Sequence, residues 1–159
     1  MAISAAVDAS LRVLRVAQKL GVKRVVLTGS IASMMASMKT GTFGPSDWTN
    51  IEAPDVNTQA KSKTLTEKAT SDFINGQEGD APMELTVMAP GVVFGPPLGS
   101  NISGQSLSLM DQILRGKVPM VPNGAFPMVD VRDVSKLHVQ ALAIPEAVGK
   151  RIIVSRTEP

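Results

Sequence analysis

Residues 2–21, together with the short run that follows them, constrain this chain more than any other stretch. Val7, Leu11, Leu14 and Ala17 recur at helical spacing and give a helix over residues 2–20 one apolar side. Gly21 follows, where a residue able to turn left-handed ends a helix. Val22-Lys-Arg-Val-Val-Leu-Thr28 is then a β-branched run whose basic residues sit only at its entry, the profile of a buried parallel strand. Helix, glycine turn and buried strand make half of a parallel α/β unit, so the expected fold is α/β, a parallel sheet with flanking helices.

A chain of 159 residues supports one domain that buries roughly 70% of its unfolded surface. Sixteen basic residues against fourteen acidic ones leave a net charge of +2, too small to argue for nucleic acid, and no basic run is interleaved with aromatics. The absence of cysteine excludes disulfides, thiolate catalysis and thiolate metal sites, and permits a cytoplasmic location. His138 is the only histidine, and no carboxylates stand at ligand spacing around it, so no metal is expected. No apolar run approaches the roughly 18 residues that a membrane span needs. The first twenty residues are faintly like a transit peptide, but Asp8 and the helical period read as a structural helix. The sequon Asn101-Ile-Ser103 is expected to go unused, because no secretory leader is read.

Further along, residues 32–56 are turn-rich, and a long aperiodic stretch inside a compact domain is usually functional or disordered. Trp48 within it either lines a cleft or pins the loop, the commoner use of such an aromatic. A helix over residues 58–74 puts Gln59, Lys63 and Glu67 on one face, a turn apart. A strand over 84–88, a helix over 103–116 with Leu107, Met110, Ile113 and Leu114 on one side, and a strand over 127–132 follow. Asp133 can cap the next helix, whose apolar stripe is Val134, Leu137, His138, Ala141 and Leu142. On that stripe His138 reads as a hydrogen-bonded core histidine rather than a catalytic one. A last strand spans 149–155.

Asn57-Thr-Gln-Ala-Lys-Ser-Lys-Thr-Leu-Thr-Glu-Lys-Ala69 resembles the active-site helix of the extended short-chain dehydrogenase/reductase family, which includes epimerases/dehydratases and dihydroflavonol reductases. That helix reads Tyr-x-x-Ser-Lys-x-x-x-Glu-x-Ala, matched here at Ser62, Lys63, Glu67 and Ala69, with Gln59 at the tyrosine position. Val25-Val-Leu-Thr-Gly-Ser30 is similar to the family's strand ending in Thr-Ser-Ser, Gly29 replacing the first of those serines. A hydroxyl at the carboxyl end of a parallel strand is where open α/β sheets bind ligands; taken without the resemblance, Ser30 would pass for a strand-exit cap. Asp47-Trp48-Thr49 looks like a remnant of the family's Asp-Glu-x-x-Trp loop, and Pro90-Gly-Val-Val-Phe-Gly-Pro96 resembles its Pro-Gly-x-Val-x-Gly-Pro segment. Residues 129–142 are similar to the helix that leads back to the sheet.

The resemblance implies a single partial NAD(P)-binding domain over residues 1–159, a truncated Rossmann-like sheet. It implies NAD(P)H-dependent oxidation or reduction at a carbonyl or CH–OH group of a small molecule, with NADP or NAD as cofactor. Ser30 would polarise the carbonyl, Lys63 would hold the nicotinamide ribose, and Pro90, Gly91, Val92 and Val93 would face the nicotinamide. Gln59 would stand in the proton donor's place, and there is no tyrosine in the chain. No Gly-x-Gly-x-x-Gly turn occurs either, so the pyrophosphate cradle of the family's N-terminal half has no counterpart. Impaired or absent catalysis is therefore expected, with a non-catalytic binding or assembly domain as the alternative. An edge strand and a sheet face left uncovered would favour a homo-oligomer or a covering partner.

Overall fold

The computed structural model describes residues 2–37, 40–79, 82–99, 104–119 and 127–156. The element order is α1 (Ala2–Lys19), β1 (Arg24–Thr28), α2 (Ala32–Met35), α3 (Thr58–Asn75), β2 (Glu84–Pro90), β3 (Val92–Phe94), α4 (Gln105–Leu114), β4 (Met128–Asp130), α5 (Val131–Ala143), a 3-10 turn (Pro145–Ala147) and β5 (Arg151–Val154). The opening unit forms as its residues dictate. Gly21, at φ 71°, donates to the Gln18 carbonyl while Val22 donates to that of Ala17, the paired bonds that close a helix at a left-handed glycine.

The main sheet is parallel, in the order β1-β2-β5, with Thr28 beside Met88 and Met88 beside Ile152. The central strand is buried from Leu85 to Pro90, which is why it reads as a nearly continuous apolar run. Side chains alternate across the sheet. Met88 packs on α5 with Val134, Ala141 and Val154, while Ala89 packs on the other face with Ile31 and Met34 of the α2 turn. Helices α1 and α3 pack against each other on that second face. A separate parallel pair, β3-β4, stands beyond the carboxyl end of β2. Sequon residues 101–103 lie outside the described residues.

Several expectations are corrected. The turn-rich stretch contains the short helix α2, the strand expected over 84–88 runs on to Pro90, and Val92–Phe94 forms a further strand. Asp130 rather than Asp133 caps α5, accepting from the Arg132 N–H at 2.8 Å, because β4 runs straight into the helix. Leu142 is exposed, and α4 buries no residue, with Ile113 and Leu114 both exposed. The faces of the central strand are covered; exposed apolar side chains lie on α1, α4 and α5 instead, while among the described residues the outer edge of β1 has no strand partner. Among the described residues, no helix is long and apolar enough to cross a membrane.

Candidate active site

Three chain segments meet at the carboxyl ends of β1 and β2. Past Thr28, the Gly29 N–H donates to the Met88 carbonyl at 2.7 Å and the Ile31 N–H to that of Pro90 at 3.1 Å. These bonds stitch the Ser30 turn to the residue 90–93 segment. Gly29 is a matter of space: a Cβ there would lie 2.9 Å from Val87 Cγ1 and 3.2 Å from Glu67 Oε2. Glycine at this position lets the Glu67 carboxylate come down onto the end of β1.

The half-buried Ser30 hydroxyl accepts from the Ala32 N–H at 3.2 Å. It makes no other hydrogen bond among the described residues, so its own hydrogen is free to be donated. Pro90 ends β2, Gly91 donates to the Val154 carbonyl at 3.0 Å, and Val92 and Val93 begin β3.

Helix α3 starts at Asn57, whose side chain accepts from the Ala60 N–H at 2.9 Å, satisfying one of the helix's free donors. Lys63 is half-buried and lines a cavity of about 160 Å³ with Ser10, Thr28, Gly29, Ser62 and Thr66. Among the described residues the Lys63 ammonium has no hydrogen-bond or ion-pair partner. The buried Thr66 hydroxyl has none either. Gln59, one turn earlier, is exposed in the first turn of α3 and does not line this cavity, nor does Ser30. The structure thus brings Lys63 to the end of β1 and Ser30 to the residue 90–93 segment, and leaves Gln59 on the solvent side.

A larger hollow, about 400 Å³, lies around the amino-terminal ends of β2 and β5, near Ile74, Met83, Leu85 and Val148. Open parallel sheets bind ligands at their carboxyl ends, so the smaller cavity beside Lys63 is the better candidate.

One cluster escaped sequence reasoning. Glu67, 1% exposed, accepts from Arg151 Nε at 2.5 Å and lies 2.5 Å from Ser33 Oγ. Arg151 Nη1 also donates to the carbonyls of Pro45 and Asp47, at 2.7 and 2.6 Å, and Nη2 reaches Ser33 Oγ at 3.3 Å. The guanidinium lies 3.7 Å from the Trp48 ring centroid, and the Lys68 ammonium 5.2 Å from it. Trp48 therefore pins its loop through cation–π contact. The motif had marked Glu67 without a role, and nothing in the sequence marked Arg151, a lone cation heading an apolar strand.

His138 is tied at both nitrogens, Nδ1 to the Val134 carbonyl and Nε2 to the Thr28 hydroxyl, each at 2.8 Å. Because a carbonyl only accepts, Nδ1 carries the hydrogen there. This is a hydrogen-bonded structural histidine, half-buried on α5.

A sequence model of the NAD dependent epimerase/dehydratase family matches residues 2–155. NADPH-dependent methylglyoxal reductase GRE2 of Saccharomyces cerevisiae is 30% identical over 148 residues, which cover 84% of this chain and 43% of that protein. Cinnamoyl-CoA reductase 2 of Arabidopsis thaliana is 30% identical over 153 residues, covering 93% of this chain and 45% of the relative. Among solved structures, yeast methylglyoxal/isovaleraldehyde reductase Gre2 complexed with NADPH superposes with a TM-score of 0.80 at 29% identity, over 94% of this chain and 49% of that one. The chain spans less than half the length of these curated relatives.

Proposed function

Because the chain belongs to the NAD dependent epimerase/dehydratase family of extended short-chain dehydrogenases/reductases, we propose that it carries the lysine side of an NAD(P)H-dependent carbonyl reductase site whose proton transfer is impaired or lost. The observation behind this reading is the pairing of Lys63 with Gln59. The lysine stands unpaired on the cavity at the end of β1, while a glutamine fills the position one turn before it in a chain with no tyrosine.

The residues present suit the nicotinamide-ribose end of the cofactor. Among the described residues the Lys63 ammonium has no protein partner at this cavity, as a sugar's hydroxyls would need. They do not suit the pyrophosphate, since no glycine-rich turn occurs in the 159 residues. When bound, the reduced nicotinamide would supply the hydride. Ser30 would donate its hydrogen bond to the carbonyl oxygen, and the backbone of residues 90–93 would wall the nicotinamide. Gln59 can donate an amide hydrogen bond but has no proton to release near neutral pH. The general-acid contribution, typically a factor of roughly 10² to 10⁴, is therefore missing.

A second reading, a binding or assembly domain without chemistry, draws on Val13 and Val16 of α1 and Leu20 just past its end, all exposed. Two measurements separate the readings. Fluorescence titration of these 159 residues with NADPH and NADH should give dissociation constants on the order of millimolar or weaker, because they hold no glycine-rich turn for the pyrophosphate. NADPH oxidation with a panel of aldehydes and ketones should be undetectable for the chain and for Gln59→Tyr. It should appear only when Gln59→Tyr is combined with a family β-α-β half that carries the glycine-rich turn. Turnover by the unaltered chain that Lys63→Ala abolishes would overturn the impairment. No turnover from the combined graft would favour the binding domain.

A further inference from the structure

Buried ion pairs are a weak source of stability, since matched apolar side chains often serve a fold as well. The Glu67–Arg151 pair has a geometry that stability alone does not require. Glu67 lies one helical turn beyond Lys63 on the same helix. Ser33, whose hydroxyl touches the Glu67 carboxylate, also donates its N–H to the Ser30 carbonyl at 3.0 Å. Arg151 gives Nη1 to two carbonyls of the loop that carries Trp48 and lays its flat face against that ring. A planar guanidinium does this in one piece, where an ammonium cannot.

We propose that Glu67 and Arg151 are positioning residues, which lock the Lys63 helix, the Ser30 turn and the Trp48 loop into a single arrangement. The functional meaning of that lock rests on the reductase reading above; its existence does not. Removing either charge alone would leave the other buried and unpaired, so single truncations test folding rather than position. The informative variant removes both: Glu67→Leu with Arg151→Met.

Trp48 is the sole tryptophan and there is no tyrosine, so intrinsic emission reports on this loop alone. The double variant is expected to melt cooperatively by circular dichroism. Its Trp48 emission should shift to the red and become more open to acrylamide quenching, since nothing then holds the Pro45 and Asp47 carbonyls. Arg151→Lys, which keeps the charge on Glu67 compensated, should show the same shift and serves if the double variant does not fold. Emission and quenching equal to those of the unaltered chain, in whichever of these variants folds, would overturn the proposal. A parallel saturation-transfer NMR measurement uses reduced nicotinamide mononucleotide as the probe. Transfer that Lys63→Ala abolishes and the folded variant weakens supports the lock as part of the site, whereas transfer undiminished in that variant would overturn it. Absence of transfer to the unaltered chain would count against the reductase reading, and Trp48 emission would then decide the lock by itself.

Discussion

Gly91 and Pro127 approach so closely that the place of a Gly91 side chain is already taken: a Cβ there would lie 2.2 Å from the Pro127 carbonyl oxygen. The same oxygen accepts from the Val92 N–H at 2.8 Å, the bond that opens the β3–β4 pairing. Gly91→Ala must therefore force the two backbones apart. The expected cost is about 3 kcal/mol, the upper end for overpacked positions. In a chain of this size that lowers Tm by roughly 2–4 °C per kcal/mol. A thermal melt followed by circular dichroism checks it, and an unchanged Tm would contradict the contact.

Introducing a phenol by Gln59→Tyr tests the neighbourhood of Lys63 without any cofactor. It would be the chain's only tyrosine, so ultraviolet difference absorbance reads its ionisation directly. An ammonium one turn away favours the phenolate, as does the amino-terminal end of α3. The phenol is expected to ionise below its ordinary value of about 10, and Lys63→Met in the same background should move it back up. Identical titrations with and without Lys63 would show that the two side chains do not face one another.

The cap of α5 carries a pH signature. Hydrogen bonds from the Arg132 side chain, then from its backbone N–H, hold the Asp130 carboxyl down at about 2. For a carboxylate depressed in the folded state, the contribution to stability is complete above its unfolded value, about 3.9. It is lost as pH falls through about 2. Carboxyl NMR shifts should show Asp130 titrating near that lower value, and Arg132→Ala should raise its midpoint toward the ordinary one. A midpoint unmoved by that substitution would sink the assignment.

Val13, Val16 and Leu20 are 69, 56 and 76% exposed, at spacings that stack them along one side of α1 and the turn that ends it. Such a stripe favours association. Sedimentation is expected to show self-association that weakens on replacing Val16 and Leu20 together with lysine. A monomer at every concentration would contradict it.

The parallel α/β core was legible because its signals are local. The period of residues 7–17, the glycine at 21 and the β-branched run after it each point to one conformation, and the structure has all three. The Ser30 turn and the Lys63 helix were legible through a motif with fixed spacing. Three things were not. Apolar periodicity in α4 told which side was apolar and could not tell that Ile113 and Leu114 would meet solvent. Asp130 and Asp133 are both competent caps, and the choice depends on where β4 ends, which a sequence marks only loosely. The Glu67–Arg151 pair joins residues 84 apart, a distance that no local pattern spans.

Ser33 brings a count of hydrogens to this cluster. Its hydroxyl has one hydrogen and two acceptors within reach, the Ser30 carbonyl at 2.7 Å and Glu67 Oε2 at 2.5 Å. The Ser30 carbonyl is already served by the Ser33 N–H at 3.0 Å, whereas Glu67 Oε2 has no other hydrogen-bond donor among the described residues. The hydrogen therefore belongs to the carboxylate. Arg151 then gives to Glu67 twice over, directly through Nε and at one remove through Ser33, and every donation in the ring runs toward the same buried anion. Because the guanidinium can only give hydrogens and the carboxylate can only accept them, the ring cannot reverse, and side chains from α2, α3 and β5 share one hydrogen-bond polarity.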